Sequence, residues 1–121
     1  DDAILIKDNH IAVAGGVIEA ISAAKAYAGH LVKIEVEVDT LEQLHQALGA
    51  GPDVIMLDNM PPETLRKAVE ITGGKALLEA SGGIEQDTVQ AVAEAGVDLI
   101  SSGWITHSAP VLDLGLDIEI S

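Results

Sequence analysis

The chain has no cysteine and no phenylalanine, one tryptophan and one tyrosine, and only six lysines and arginines in 121 residues. The absence of cysteine excludes a disulfide framework and thiolate chemistry, and it fits a cytoplasmic location. No apolar stretch reaches the length of a bilayer span, and the N-terminus lacks the basic region of a signal peptide. We therefore expect no membrane association.

The shortage of cations also bears on possible partners. Twenty aspartates and glutamates give a formal net charge of −14. This excess of negative charge repels polyanions, so a nucleic-acid partner is not expected. With 48% hydrophobic and 21% charged residues, the chain has the composition of one ordered domain, or of a piece of one.

Apolar runs rich in β-branched residues alternate with amphipathic segments, which is typical of βα units and a parallel sheet. After the first strand the strand starts lie about 21 or 22 residues apart, tighter than the thirty or so per unit of a full-size barrel. We predict five strands, at residues 3–6, 32–38, 53–58, 75–80 and 97–102, and four helices, near residues 16–28, 41–48, 62–71 and 86–95.

Local signals mark the ends of these helices. Glycine favours the left-handed conformation that follows a last helical turn, so we expect the last three helices to end at Gly49, Gly73 and Gly96. Asp39 or Thr40 is placed to cap the second helix, and Pro62 suits the first position of the third.

Five strands do not close an eight-stranded barrel, so the sheet is either open and doubly wound or part of a larger barrel. The segment at 111–120, VLDLGLDIEI, alternates strictly and predicts an amphipathic, half-buried strand. We favour an α/β fold, a partial TIM-like barrel over residues 1–110 that carries part of the active site. Residues 111–121 then form a C-terminal strand that packs on a partner layer or on a domain outside these residues.

Polar residues follow each predicted strand, at the end where parallel α/β folds bind ligands. They are Lys7, Asp8, Asn9 and His10; Glu37 and Asp39; Asp58 and Asn59; Glu79, Ser81, Gly82 and Gly83; and the segment 101–107, which includes Gly103 and His107.

Two glycine-containing segments have the character of an anion site. Ser81-Gly82-Gly83 precedes a predicted helix, whose N-terminus would add a favourable partial charge. Gly103 lies among hydroxyl side chains in SSGWITHS, and paired βα loops of this kind bind phosphate in many barrels. Ordinary turn chemistry explains each segment equally well when it is taken alone.

Glu37 and Asp58 follow successive strands and could together bind sugar hydroxyls, hold Mg²⁺ or stabilise a cationic carbon. Solvated acids at a rim are the alternative, but the apolar flanking residues favour a site. His10 and His107 are candidates for anion contact or general acid chemistry, with a structural hydrogen bond as an equal alternative. We place His30 and His45 on the surface, expect Tyr27 and Trp104 to pack, and find no zinc-type spacing.

Six segments in order resemble the C-terminal half of the quinolinate phosphoribosyltransferase family: IKDNH, KIEVEVDTLEQL, VIMLDNM, LLEASGGI, AGVDLISSG and THSAPVLDLGLDI. The resemblance implies a dimer with an N-terminal α/β sandwich and an incomplete α/β barrel. It also implies conversion of quinolinate and phosphoribosyl pyrophosphate to nicotinate mononucleotide, pyrophosphate and CO₂ with Mg²⁺, in NAD biosynthesis.

By the same resemblance, Lys7 contacts anionic substrate, and Glu37 and Asp58 bind the ribose hydroxyls and the metal-bound pyrophosphate substrate. Ser81, Gly82 and Gly83, with Gly103 and His107, hold the 5′-phosphate. Trp104 departs from the family pattern, which has a small residue there.

The family's cationic clamp for quinolinate comes mostly from its N-terminal region, which has no counterpart among these residues. We therefore expect the chain alone to be inactive and to form a homodimer or higher oligomer. The alternatives are a non-catalytic half-barrel scaffold that self-associates, and a related protein of the superfamily with another substrate.

Overall fold

The computed structural model describes residues 3–6, 16–28, 32–101 and 111–112. Its strands are β1 (Ala3–Ile6), β2 (Lys33–Val38), β3 (Val54–Asp58), β4 (Leu77–Ser81), β5 (Leu99–Ser101) and β6 (Val111–Leu112). Its helices are α1 (Val17–Ala28), α2 (Leu41–Ala50), α3 (Pro62–Thr72) and α4 (Val89–Glu94). Within these ranges no helix is both long and apolar enough to span a membrane.

The six strands form one sheet in the order β5-β4-β3-β2-β1-β6, and every pair is parallel. Strands β1 to β5 are neighbours in chain order and alternate with the four helices, which confirms the predicted α/β fold of five parallel strands. The short β6 adds to the edge beside β1, with Val111 aligned with Leu5 and Leu112 with Ile6. The rest of the amphipathic segment lies outside the described residues, so the packing of its apolar face stays a prediction.

All four helices cover the same face of the sheet. One buried cluster joins alternate strand residues to apolar residues of every helix. It contains Ile4, Ile6, Ile34, Val36, Val38, Ile55, Leu57, Leu78 and Ala80 from the strands, Ala20, Ile21, Leu44, Ala47, Leu65, Ala68 and Val92 from the helices, and Ala95 just after α4. Doubly wound sheets carry helices on both faces. The one-sided arrangement is that of a barrel segment, whose other face is the barrel interior; we call it the inner face.

The helix ends agree with the sequence at three positions and differ at others. Pro62 opens α3, which ends at Gly73 (φ 54°), and the Thr40 side chain accepts a hydrogen bond from the Gln43 N–H at 3.1 Å. The predicted end of α2 at Gly49 is wrong: the helix continues to Ala50, and Gly51 takes the left-handed conformation (φ 68°). Helix α4 begins only at Val89, because residues 86–88 form a turn closed by the Thr88 N–H donating to the Glu85 carbonyl at 3.0 Å.

A repeated aspartate contact ties the strands together at their N-terminal ends. The Asp53 carboxylate accepts from the Ile34 N–H at 2.7 Å, and the Asp53 N–H donates to the Ile34 carbonyl at 2.9 Å. Asp98 makes the same two bonds with Leu78, at 2.8 and 2.9 Å. Both aspartates stand two residues after a glycine of positive φ, Gly51 and Gly96. The two βα units therefore close in the same way, at the end of the sheet away from the candidate site.

Candidate active site

The carboxyl ends of the parallel strands bring several of the predicted residues to one edge. Asp58, Ser81 and Ser101 are aligned across β3, β4 and β5. Glu37 is aligned with Met56, two residues before Asp58 on the neighbouring strand. This register separates the Cα atoms of Glu37 and Asp58 by roughly 8 Å, with both side chains on the inner face. The predicted acids and the start of the Ser81-Gly82-Gly83 segment thus share one mouth.

Asp58 is an acid at this mouth whose ionisation is perturbed by its surroundings. It is partly buried, and burial, followed by the negative charge of Asp39, raises the pKa of its carboxyl above the ordinary value. Continuing the β2–β3 register by one residue places Asp39 beside Asp58. A carboxylate that is costly to ionise in the free protein gains from any cation placed next to it.

The turn after β4 is built closely against Asp58. Gly82 and Gly83 both have positive φ, at 80° and 57°. A Cβ atom added at Gly82 would lie 2.8 Å from Asp58 Oδ1 and 2.7 Å from Asn59 Oδ1. Glycine is therefore required at Gly82 both by backbone conformation and by space. The carboxylate and the glycine turn are in contact, as an acid and an anion-binding loop of a single site would be.

The helix predicted after the glycines, near residues 86–95, begins later than expected. Helix α4 has six residues and starts at Val89, after the turn at 86–88. Its N-terminus therefore does not adjoin Gly83, and the expected contribution of a helix N-terminus to anion binding finds no support in the described residues. Any anion binding at the turn depends on the glycine backbone and on neighbouring side chains.

A cavity of about 270 Å³ opens beside the turn, between the loops that follow β3 and β4. Apolar side chains form most of its wall, and the amide of Asn59 and the glycine backbone form the side nearest the mouth. Its lining consists of Asn59, Met60, Pro61, Pro62, Gly82, Gly83, Ile84, Thr88 and Val92.

A pair of buried acids lies deeper on the inner face than Asp58, with Glu79 level with Glu37 and Glu35 two residues further down β2. Glu35 and Glu79 are 7% and 5% exposed and stand on β2 and β4, on either side of β3. Burial, a hydrogen bond to Glu79, and the charges of Glu79 and Glu37 raise the pKa of Glu35 to about 8. Sequence reasoning noted Glu79 but missed Glu35; the alternation in IEVEV, which puts Glu35 on the face of Glu37, was the available signal.

Several predicted site residues lie outside the described residues: Lys7, His10, Gly103, His107 and also Trp104. Ile6, the residue before Lys7, ends β1 at the same edge as the acids, and Ser101 ends β5 there. Ser101 is 5% exposed, and its hydroxyl has no hydrogen-bond partner within the described part of the chain. His45 is exposed as predicted, whereas Tyr27, which was expected to pack, is 59% exposed.

The helices on one face and the polar site at the carboxyl ends of the strands define a segment of a βα-barrel protein of the ligand-binding type. Residues 1–117 match the family model for the C-terminal domain of quinolinate phosphoribosyl transferase. The chain belongs to this family, which confirms the resemblance found in the sequence.

Individual relatives agree with this assignment. The chain is 48% identical over 120 residues to a probable carboxylating nicotinate-nucleotide pyrophosphorylase of Bacillus subtilis, covering 99% of this chain and 42% of that protein. Over 118 residues it is 38% identical to the human carboxylating nicotinate-nucleotide pyrophosphorylase, and the match covers 95% of this chain and 40% of the human protein. The chain thus spans about two fifths of the length of these relatives.

Solved structures resemble the chain in fold as well. The nicotinate-nucleotide pyrophosphorylase of Francisella tularensis superimposes with a TM-score of 0.79 at 41% identity, covering 98% of this chain and 40% of that one. NadC of Streptococcus pyogenes superimposes with a TM-score of 0.76 at 40% identity, and the match covers 100% of this chain and 41% of that one.

Proposed function

We propose that this domain belongs to a phosphoribosyltransferase that converts quinolinate and phosphoribosyl pyrophosphate to nicotinate mononucleotide, pyrophosphate and CO₂, a step of NAD biosynthesis. The contact between the Asp58 carboxylate and the Gly82 turn, with Glu37 on the adjacent strand, is the observation that carries the proposal. The names of the relatives support it.

The acids suit the chemistry of the sugar. When pyrophosphate leaves the anomeric carbon, positive charge develops on the ribose ring, and a carboxylate held in place stabilises that charge. Glu37 and Asp58 share the inner face within roughly 8 Å, a separation that the sheet spacing sets and that a bound ribose could bridge. They are therefore assigned to the ribose hydroxyls and to the growing charge.

The glycine turn suits the 5′-phosphate. Gly82 and Gly83 carry no side chain that would keep an anion from the backbone, and Ser81 adds a hydroxyl at the same level of the sheet. On the family resemblance, Gly103 and His107 are assigned to the same phosphate, and Lys7 and His10 to contacts with anionic substrate.

The donor set also fits Mg²⁺. This ion binds oxygen ligands, commonly one or two carboxylates together with substrate phosphates. Glu37 and Asp58 are such carboxylates, and the described residues contain no cluster of three or more ligating side chains that would hold a metal without substrate. Bound Mg²⁺ would balance the charge of the leaving pyrophosphate. It would also offset the repulsion between Asp58 and an anion at the adjoining turn.

The site needs more cations than this chain offers. Its six lysines and arginines cannot neutralise a dicarboxylate and a pyrophosphate in addition to 20 acids. We assign the remaining cations to the N-terminal part of the enzyme or to the other subunit of a homodimer. We also propose that the enzyme is cytoplasmic.

The test uses the full-length protein and follows pyrophosphate release that depends on quinolinate. Wild-type protein is expected to turn over with Mg²⁺, and Asp58→Asn to lower kcat at least about a hundredfold, as loss of a charge-stabilising group does. Glu70→Gln removes the same charge from the exposed side of α3 and should leave the rate unchanged. Wild-type protein without quinolinate-dependent release would favour the non-catalytic scaffold instead.

A further inference from the structure

We propose that Asn59 is a positioning residue, which holds the Gly82-Gly83 turn at the correct distance from the Asp58 carboxylate for a phosphoryl group to bind. The proposal rests on the proposed function for the identity of that group. Three properties of Asn59 support the proposal: its backbone conformation, its main-chain hydrogen bond and the position of its side chain.

The first property is conformation. Asn59 has a φ of 55° and is the one non-glycine residue of the described part of the chain with positive φ. Asparagine tolerates this left-handed region better than most residues, but glycine adopts it without cost. Because glycine would form the turn equally well, the turn alone does not explain why this position carries an asparagine side chain. Burial does not explain it either, because Asn59 is exposed.

The second property is the main-chain bond. The Asn59 N–H donates to the Ser81 carbonyl at 2.9 Å. This bond extends the β3–β4 pairing by one step beyond Asp58. It therefore ties the residue after the acid to the residue before the glycines, and it fixes where the turn begins.

The third property is the position of the carboxamide. Asn59 Oδ1 lies 2.7 Å from the point where a Gly82 Cβ would stand and 3.2 Å from the corresponding point at Gly83. The side chain thus lies against both glycines at once. Asp58 Oδ1 lies 2.8 Å from the same Gly82 point, so Asn59 and Asp58 contact the turn side by side.

The neutrality of asparagine matters in this position. An aspartate of the same shape would put a second carboxylate beside the turn and repel a phosphoryl group. A glycine would satisfy the backbone but leave the turn without lateral support. Asn59 combines tolerance of the left-handed backbone, the required volume and zero charge.

Two variants of the full-length protein test the inference. For Asn59→Gly we expect an increase in KM for phosphoribosyl pyrophosphate of about tenfold and a matching loss of affinity for inorganic phosphate. We expect kcat to change less than about threefold, because the acids stay in place. Asn59→Asp keeps the shape and adds a charge, so KM should rise further, by about a hundredfold. Gln86→Glu adds the same charge at an exposed position and should leave KM unchanged.

The possible results distinguish a failure of the Asn59 inference from a failure of the proposed function. If wild-type protein is active and Asn59→Gly retains the wild-type KM and phosphate affinity, the inference is overturned and the proposed function stands. If Asn59→Gly lowers kcat or the melting temperature alone, Asn59 is merely structural and the inference is again wrong. Should Asn59→Gly not fold, Asn59→Asp decides in the same way. If wild-type protein neither turns over nor binds phosphate, the proposed function fails and takes the inference with it.

Discussion

Glu35 of β2 and Glu79 of β4 are joined by a hydrogen bond across the intervening strand β3. Both side chains are buried on the inner face. Glu79 is level with Glu37, two residues deeper in the sheet than Asp58, and Glu35 is two residues deeper still. Two buried carboxylates cannot both ionise cheaply at this distance, so Glu35 stays protonated and its carboxyl O–H donates a hydrogen bond to Glu79. The pKa of Glu35 rises to about 8 for these reasons.

This pair makes stability depend on pH in a defined direction. The pKa of Glu35 is raised from its ordinary 4.5 to about 8 in the folded protein. Between these values the folded state holds a proton that the unfolded state has lost, so the free energy of unfolding falls as pH rises. At about 1.4 kcal/mol per pKa unit, the loss by pH 8 amounts to a few kcal/mol.

Glu35→Gln should remove most of this dependence, since the amide donates to Glu79 without a titrating proton. We expect the variant to be more stable than wild type at pH 8 and similar at pH 4.5, measured by denaturant unfolding with chelator and without substrate. The pKa of Asp58 is also raised, so in the variant the free energy of unfolding should still fall slightly with rising pH. Exposed Glu42→Gln is the control. An unchanged slope in Glu35→Gln would show that no proton is held between the two acids.

The aspartates at the opposite end of the sheet should affect stability and not activity. Asp53→Ala and Asp98→Ala each remove a hydrogen bond between a carboxylate and a strand N–H, which costs about 1 to 3 kcal/mol. The two losses should add, because the residues join different strand pairs. Thermal melting gives the stabilities, with exposed Asp87→Ala as control. A fall in kcat well below the melting temperature would contradict this assignment.

Much of the fold and part of the site follow from local sequence. Runs such as VIMLD predict strands because buried parallel strands are apolar on both faces, and parallel pairing then brings Asp58 and the glycines to one edge. The Glu35–Glu79 bond was not predictable in this way, because it depends on the register of three strands. The end of α2 was missed because Gly49 and Gly51 are both suitable, and the helix continues through Gly49 before Gly51 takes the left-handed conformation. The left-handed Asn59 follows from contacts after β4, distant in sequence.

The isolated 121-residue chain should associate and show no pyrophosphate release. On the inner face, Leu77 and Leu99 are 51% and 48% exposed, and β5 ends the described sheet with an unpaired edge. Exposed apolar side chains and strand edges favour pairing with another copy. Light scattering coupled to size exclusion should therefore give more than the mass of one chain. A monodisperse monomer would contradict the prediction of association, and quinolinate-dependent turnover abolished by Asp58→Ala would contradict that of inactivity.

Gly82→Ala and Gly74→Ala form a matched pair that separates backbone strain from steric blocking of the site. Both glycines have φ of 80°, so alanine should cost each about 1 to 2 kcal/mol. At Gly74 the new Cβ meets nothing within 4 Å, whereas at Gly82 it would meet Asn59 and Asp58 at 2.7 and 2.8 Å. Hence only Gly82→Ala should displace the acid and the turn. In the full-length protein we expect Gly82→Ala to lower kcat/KM more than about a hundredfold, through lost positioning, while Gly74→Ala keeps its activity. Equal effects of the two variants on kcat/KM would mean that the Gly82 turn has no part in the site.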